Sequence, residues 1–368
     1  MSWPMVKLGD VCTINPRLPK NANPEQEVTF LAMAAVSEKG EISSQETRIL
    51  HETKKGFTYF ERGDVLLAKI TPCFENGKAT LTNNLNTQIG FGSTEFHVLR
   101  AFPDLILPEF IFYLVWNERF RIAAAKEMTG SAGQKRVSTD YLKEYKFYLP
   151  SIFEQEKIVA ALNKGYSIHR KRQQAIKLAD DFLRAKFLEM FGTPANNIHR
   201  FPTGKIRDLV DSVNYGTSAK ASIDSGEYPI LRMGNITYQG GWDFTDLKYL
   251  DLSVKEKDKF LVKEGDLLFN RTNSKELVGK TAVYEENRPM AFAGYLIRVR
   301  PNPIGNNYYI SGYLNSIHGK ITLMNMCKSI VGMANINAQE LQNIEILIPP
   351  KHLQDEYEII YKKRTKHL

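Results

Sequence analysis

Cysteine is scarce. The 368 residues hold three, Cys12, Cys73 and Cys327, far apart and in no CxxC pair. That excludes a disulfide framework and a cysteine-built metal site, and it suits a reducing cytoplasm. Long apolar runs are missing as well. No segment approaches the ~18 residues that cross a bilayer. The opening MSWPMVKLGD has neither the basic nor the apolar region of a secretory leader, so no membrane partner is expected. The seven histidines are scattered and form no HExxH, so no metal is expected. No GxxxxGK[ST] occurs, which removes the P-loop route to nucleoside triphosphates. IPPKH at 348–352 has the prolines of an adenine-methylating strand end but neither the amide before them nor the aromatic after. Glu52-Thr-Lys54, Glu144-Tyr-Lys146 and Asp246-Leu-Lys248 match only the tail of a nuclease motif, without context. The chain is therefore expected to be non-catalytic and to hold no cofactor of its own.

What is present is ample apolar content, 43%, with 24% charged residues. The length exceeds one ordinary core and suits two domains. The net charge of +8 permits a polyanionic partner. The main signal is repetition. FERGDVLLAKI (60–70) parallels VKEGDLLFNRT (262–272), and FENGKATL (74–81) parallels LVGKTAVY (277–284). FHVLRAF (96–102) parallels YLIRVRP (295–301). TGSAGQKRVSTDYLKEYKFYLP (129–150) parallels KSIVGMANINAQELQNIEILIP (328–349), pairing Gly133 with Gly332, Leu142 with Leu341 and Pro150 with Pro349. VKLGDVC (6–12) and GKIRDLV (204–210) open the two copies. Stretches between these matches differ, as in 15–56 against 214–258. A shared framework with divergent loops lets one fold do one job in two versions.

Between the copies a helical pattern runs from about 151 to 191. Ser151 and Glu154 supply a capping box, and Gly192 with Pro194 stop the helix. Ile158, Leu162, Ile176, Leu183 and Met190 suggest a heptad seam, interrupted by Gly165, His169 and Arg172. A helix of this length spans ~60 Å and reads as a spacer, the alternative being a surface helix folded onto one domain. A second, shorter copy begins at Pro350, with Leu353, Tyr357 and Ile360 on one face. The expected domains are 1–150, a spacer helix 151–195, a second domain 196–349 and a distal helix 350–368.

These motifs, given twice around a long helix, resemble the specificity subunit of type I restriction–modification systems. AKITPCFENGKA (68–79) with GFGSTEFHVLR (90–100) is similar to one variety of that family's target recognition domain, and LPSIFEQEKIV to the start of its conserved helix. The resemblance implies an α/β (α+β) fold: two tandem target recognition domains with curved mixed sheets, separated by long helices packed as an antiparallel coiled coil with pseudo-two-fold symmetry. It implies that each domain reads half of a split double-stranded DNA target. The helices would set the gap, dock two methyltransferase subunits that use S-adenosylmethionine, and permit motor–nuclease subunits that use ATP. The short distal helix raises the prospect of self-association.

Base edges are read by Arg, Lys, Asn and Gln, and phosphates are held by Lys, Arg, Ser, Thr and glycine-turn amides. The first-copy candidates are Lys69, Thr71, Asn76, Lys78, Ser93, Thr94, Gln134, Lys135 and Arg136. The second-copy candidates are Arg271, Thr272, Asn273, Lys275, Lys280, Asn335 and Asn337. Phe74 reads as core, and Asp64 and Asp266 as turn residues. The basic run Arg170-Lys171-Arg172 is open to solvent, a partner or DNA backbone. A free-standing enzyme on nucleic acid and a scaffold that reads no bases are the rival readings.

Overall fold

The structure, a computed structural model, describes residues 3–131, 133–274, 277–330 and 333–367. It divides into two compact units, Met1–His169 and Arg170–Leu368. Among the described residues each unit holds two four-stranded sheets and a small antiparallel pair, and the second unit adds a three-stranded sheet of Thr272–Asn273, Met333–Asn335 and Lys328–Ile330.

In the first unit the antiparallel sheet orders Cys12–Ile14, Phe96–Ala101, Val65–Ala68 and Ala79–Leu81. The mixed sheet orders Glu46–Ile49, Glu27–Leu31, Ile89–Gly92 and Thr58–Glu61, with Glu27–Leu31 and Ile89–Gly92 parallel. Val65–Ala68 reads as an unbroken apolar run because both its faces are covered. Val65 and Leu67 face the helix Pro108–Trp116, packing with Ile111, Phe112 and Val115. Leu66 faces the other way, with Phe60, Phe96 and Val98. The second unit repeats the scheme. Leu267 and Phe269 pack with Tyr309 and Leu314, whereas Leu268 packs with Leu231, Phe292 and Leu296. Its mixed sheet again has one parallel pair, Tyr228–Leu231 with Met290–Phe292.

The Gly-Asp motif is a turn in both copies. Gly63 and Gly265 adopt φ of +95° and +88°, which a side chain would strain. Asp64 accepts from the Glu61 amide at 2.7 Å, and Asp266 from the Lys263 amide at 2.9 Å. Each aspartate is buried and also receives a forked arginine, Arg100 or Arg300.

The long helix is continuous from Ile152 to Phe191. Its start is fixed as the sequence predicts. The Ser151 amide and hydroxyl donate to Glu154, at 3.0 and 2.8 Å. The repeated glutamine explains why each copy ends in the same words. Gln155 is fully buried, and its amide donates to the Leu105 and Pro150 carbonyls while its oxygen accepts from the Leu107 amide. Gln354 donates to the Ile304 and Pro349 carbonyls in the same way. Glutamine there ties the helix start to the sheet–helix connection of its own unit.

The heptad seam needs correction. Leu183 is buried, but Leu162 is 43% exposed. The helix instead buries Gln155 and Val159 near its start and Leu183, Phe187 and Phe191 near its end. Those last positions recur every four residues and join one core cluster with Tyr309 and with Tyr357 of the distal helix. Phe187 stacks on Tyr309 at 5.6 Å and meets Tyr357 of the distal helix Lys351–His367 at 5.3 Å. No helix among the described residues is long and apolar enough to cross a membrane.

Candidate nucleic-acid interface

Most of the first copy's candidates converge at the C-terminal end of the strand Val65–Ala68. There the chain meets two segments distant in sequence. The Lys69 amide donates to the Glu95 carbonyl at 2.9 Å, the Val137 amide to the Lys69 carbonyl at 2.9 Å, and the Thr71 amide to the Lys135 carbonyl at 3.0 Å. Segments 69–78, 93–95 and 134–137 thus form one patch. The Arg136 guanidinium forks onto both Glu95 oxygens at 2.9 Å. That pair holds the Glu95 carboxyl below its ordinary range and clamps two loops together.

Within the patch, Asn76, Thr94, Gln134 and Lys135 are exposed, and Lys69, Thr71, Lys78, Ser93 and Arg136 half-buried. Some side chains are engaged locally. The Thr71 hydroxyl donates to Glu75 at 2.9 Å, Ser93 accepts from the Glu95 amide, and the Lys78 amine donates to the Met33 carbonyl at 3.3 Å. Gln134 and Lys135 face outward beside Gly133, whose φ of +82° needs a glycine and whose surroundings are open. Phe74 is fully buried in the core.

The second unit builds the same patch with different side chains. The Arg271 amide donates to the Tyr295 carbonyl at 3.0 Å and the Ile336 amide to the Arg271 carbonyl at 2.9 Å. Thr272–Asn273 then pairs with Met333–Asn335, in register Thr272 to Asn335. Arg271 lies 4.9 Å from the Tyr215 ring centroid. Asn273 is half-buried and Asn335 exposed. Asn337 is exposed, and its side chain caps the helix Ala338–Gln342 by accepting from the Glu340 amide at 2.9 Å. Two candidates sit deeper than a surface contact requires: Thr272 is 9% exposed and Lys280 8%. Their strands place them between core residues. Lys275 and Gly332 lie outside the described residues.

The sequence reading missed Glu95, Tyr215 and Tyr295. Glu95 is invisible without the fold, because its partner Arg136 is remote in sequence. Tyr215 and Tyr295 are 41% and 54% exposed, and both flank glycines, Gly216 and Gly294. Aromatic residues beside glycine at a strand end were the available signal. A groove of about 600 Å³ adjoins Tyr215, lined by Asn214, Thr217, Ser218, Glu256 and Lys259. Among the described residues no group of histidine, cysteine, aspartate or glutamate could hold a metal. The patch's chemistry is hydrogen bonding and charge.

The family model for the type I restriction modification DNA specificity domain matches residues 2–178 and again 200–362. The chain belongs to that family. It is 31% identical over 273 residues to the type I restriction enzyme EcoAI specificity subunit of Escherichia coli, covering 72% of this chain and 46% of that protein. It is 32% identical over 273 residues to the EcoEI specificity subunit of Escherichia coli, covering 72% and 45%. The matched stretch spans about half the length of these relatives. In fold, the chain is similar to a type I restriction–modification S subunit from M. genitalium, with a TM-score of 0.61, 13% identity, and 99% and 90% of the two chains covered. Each of the two family matches contains one of the two patches.

Proposed function

We propose that this chain is the DNA-reading subunit of a type I restriction–modification complex and is not itself catalytic. Each unit reads one half of a split, asymmetric double-stranded target. The observation that carries the reading is the patch made twice: the same backbone bonds at Lys69 and Arg271 present different side chains. A repeated scaffold needs matching bonds, and two different half-sites need differing readers. In this reading the exposed Asn76, Thr94, Gln134, Lys135 and Asn335 and the half-buried Asn273 approach bases or phosphates, and Tyr215 and Tyr295 pack on sugar or base. Two methyltransferase subunits dock alongside and bring S-adenosylmethionine for adenine methylation. Motor–nuclease subunits bring ATP. The setting is cytoplasmic. The exposed Arg170-Lys171-Arg172 run is a partner or backbone contact, and self-association through the helices belongs to the same proposal.

The test is a genome-wide map of methylated adenine in cells expressing the methyltransferase partner with and without this chain. A new split motif methylated on both strands is expected. No new methylation, with the partner bound, would refute the reading. Several phosphate contacts also predict a steep loss of DNA affinity with salt, which a scaffold that reads no bases would not show.

A further inference from the structure

Arg271 is bonded tightly through its main chain and sparsely through its side chain. Its amide donates to the Tyr295 carbonyl at 3.0 Å, and its carbonyl accepts from the Ile336 amide at 2.9 Å. Its guanidinium makes one long bond, from Nη1 to the Gly294 carbonyl at 3.4 Å, and its Nε is buried without a partner among the described residues. The arginines that hold loops are bonded otherwise. Arg100 and Arg300 fork onto Asp64 and Asp266, and Arg136 onto Glu95. A charged donor left unbonded at depth weakens a fold. Its persistence in a binding patch points to an acceptor that the ligand brings.

The position of this guanidinium is nevertheless fixed. It lies 4.9 Å from the Tyr215 ring centroid, and that ring is itself pinned, its hydroxyl accepting from the Ala338 amide at 2.9 Å. Arg271 is half-buried and Tyr215 is 41% exposed, so the pair opens on the patch, where Thr272 and Lys280 do not. A phosphate needs only a charge within reach. A planar base edge needs a fork held in one place.

We propose that Arg271 reads a guanine in the half-target of the second unit, with Tyr215 as its positioning residue. This deepens the DNA-reading function proposed above and rests on it. In the major groove guanine offers two adjacent acceptors, O6 and N7, which match two N–H groups of one guanidinium. Adenine turns an amino donor toward the same fork, cytosine offers a donor, and thymine offers a single acceptor. The first unit has Lys69 at the equivalent backbone position, a point charge in place of a fork.

The test selects duplexes from a random library with the full chain bound to its methyltransferase partner. Binding is then measured to the selected target and to versions altered at one base pair. The wild-type complex is expected to select a split target with a guanine in one half at which any other base weakens binding roughly tenfold. Replacing that guanine with 7-deazaguanine, which lacks the N7 acceptor, is expected to weaken wild-type binding severalfold with the protein unaltered. In Arg271→Met the preference at that base is expected to fall to about twofold or less, while the preferences in the other half persist. Tyr215→Phe is expected to keep the guanine preference and Tyr215→Leu to lower it; an unchanged preference in Tyr215→Leu would overturn the positioning role. The assignment of Arg271 is overturned by a split target with no guanine that responds to Arg271→Met, or by a 7-deazaguanine duplex that binds as well as the parent. It is also overturned if Arg271→Met loses affinity equally for every sequence, which marks a phosphate contact. A wild-type complex that selects no sequence refutes the DNA-reading function itself, whereas a selected target whose base preferences ignore Arg271 refutes this assignment alone.

Discussion

The two units share their backbone bonds and differ in how their charges are settled. In the first unit, Asp64 receives the fork of Arg100, and Glu61 lies 3.2 Å from the same guanidinium. In the second, Asp266 receives Arg300 and has a second arginine, Arg298, at 3.9 Å. One aspartate has a single cation and the other has two. At the patch, the first unit clamps its loops with Glu95 and Arg136, whereas the second replaces that pair with Tyr295 and a cation–ring contact to Tyr215. The lesson is that main-chain geometry is held fixed while local electrostatics are free to diverge.

The largest break in this comparison should come at the aspartates. Arg100→Ala leaves a buried carboxylate with no cation and should destabilise the first unit by about 3 kcal/mol. Arg300→Ala should cost the second unit only about 1–2 kcal/mol, because Arg298 can move in. Hydrogen exchange of Val65–Ala68 and Leu267–Asn270 in each variant separates the units. Equal losses would mean that Arg298 contributes nothing. Next come the glutamine ties. Gln155→Leu strands the Leu107 amide and two carbonyls, for about 2 kcal/mol. Gln354→Leu strands two carbonyls, and the Gln354 oxygen already lacks a partner, so about 1 kcal/mol is expected. A larger effect at Gln354 would reverse the ranking.

How much of this was legible before the fold follows from range in sequence. The repeat, the Gly-Asp turns, the Ser151–Glu154 cap and the helix from Ile152 to Phe191 rest on neighbours a few residues apart, and the pattern carried them. The patch was half legible. Lys69, Gln134 and Lys135 could be chosen by type, but their convergence depends on a backbone ladder between residues 69–71 and 135–137. Asp64 read as a turn residue because its near contact, Glu61, is local; its far one, Arg100, is not. The heptad seam misled because spacing alone does not say whether a helix packs on another helix or on a globular core. Lys280 and Thr272 looked like surface donors by composition, yet strand pairing draws both inward.

A sharper contrast concerns DNA. Lys135→Ala should weaken recognition of one half-target and Asn335→Ala that of the other, each by about 1.5 kcal/mol for a base contact. Binding is measured against targets altered in one half at a time. If either variant weakens both halves equally, the contact is to phosphate, or the units do not read independently.

The smallest effect expected is a pH response confined to the first unit. His97 is buried opposite Leu67, where the strand register of the second unit, one residue off the sequence match, sets Ile297 opposite Phe269. Its Nε2 lies 2.8 Å from the Val137 carbonyl and must donate there; its Nδ1 lies 3.2 Å from the Asn15 amide nitrogen and accepts from it. A proton on Nδ1 would face that amide, so the fold keeps the ring neutral. Burial depresses its pKa below the ordinary 6.5; Lys69 acts in the same direction, while the Val137 bond and Glu95 oppose it. Above 6.5 the unfolded ring is also neutral, and the full stability is present. As pH falls through 6.5 the unfolded state takes up the proton first, so stability declines until the lower folded value is passed. The Val65–Ala68 amides should therefore lose more protection than the Leu267–Asn270 amides between about pH 7.5 and about pH 5.5, after correction for intrinsic exchange. His97→Gln should flatten that difference. A difference that persists in the variant would place the pH response on another group.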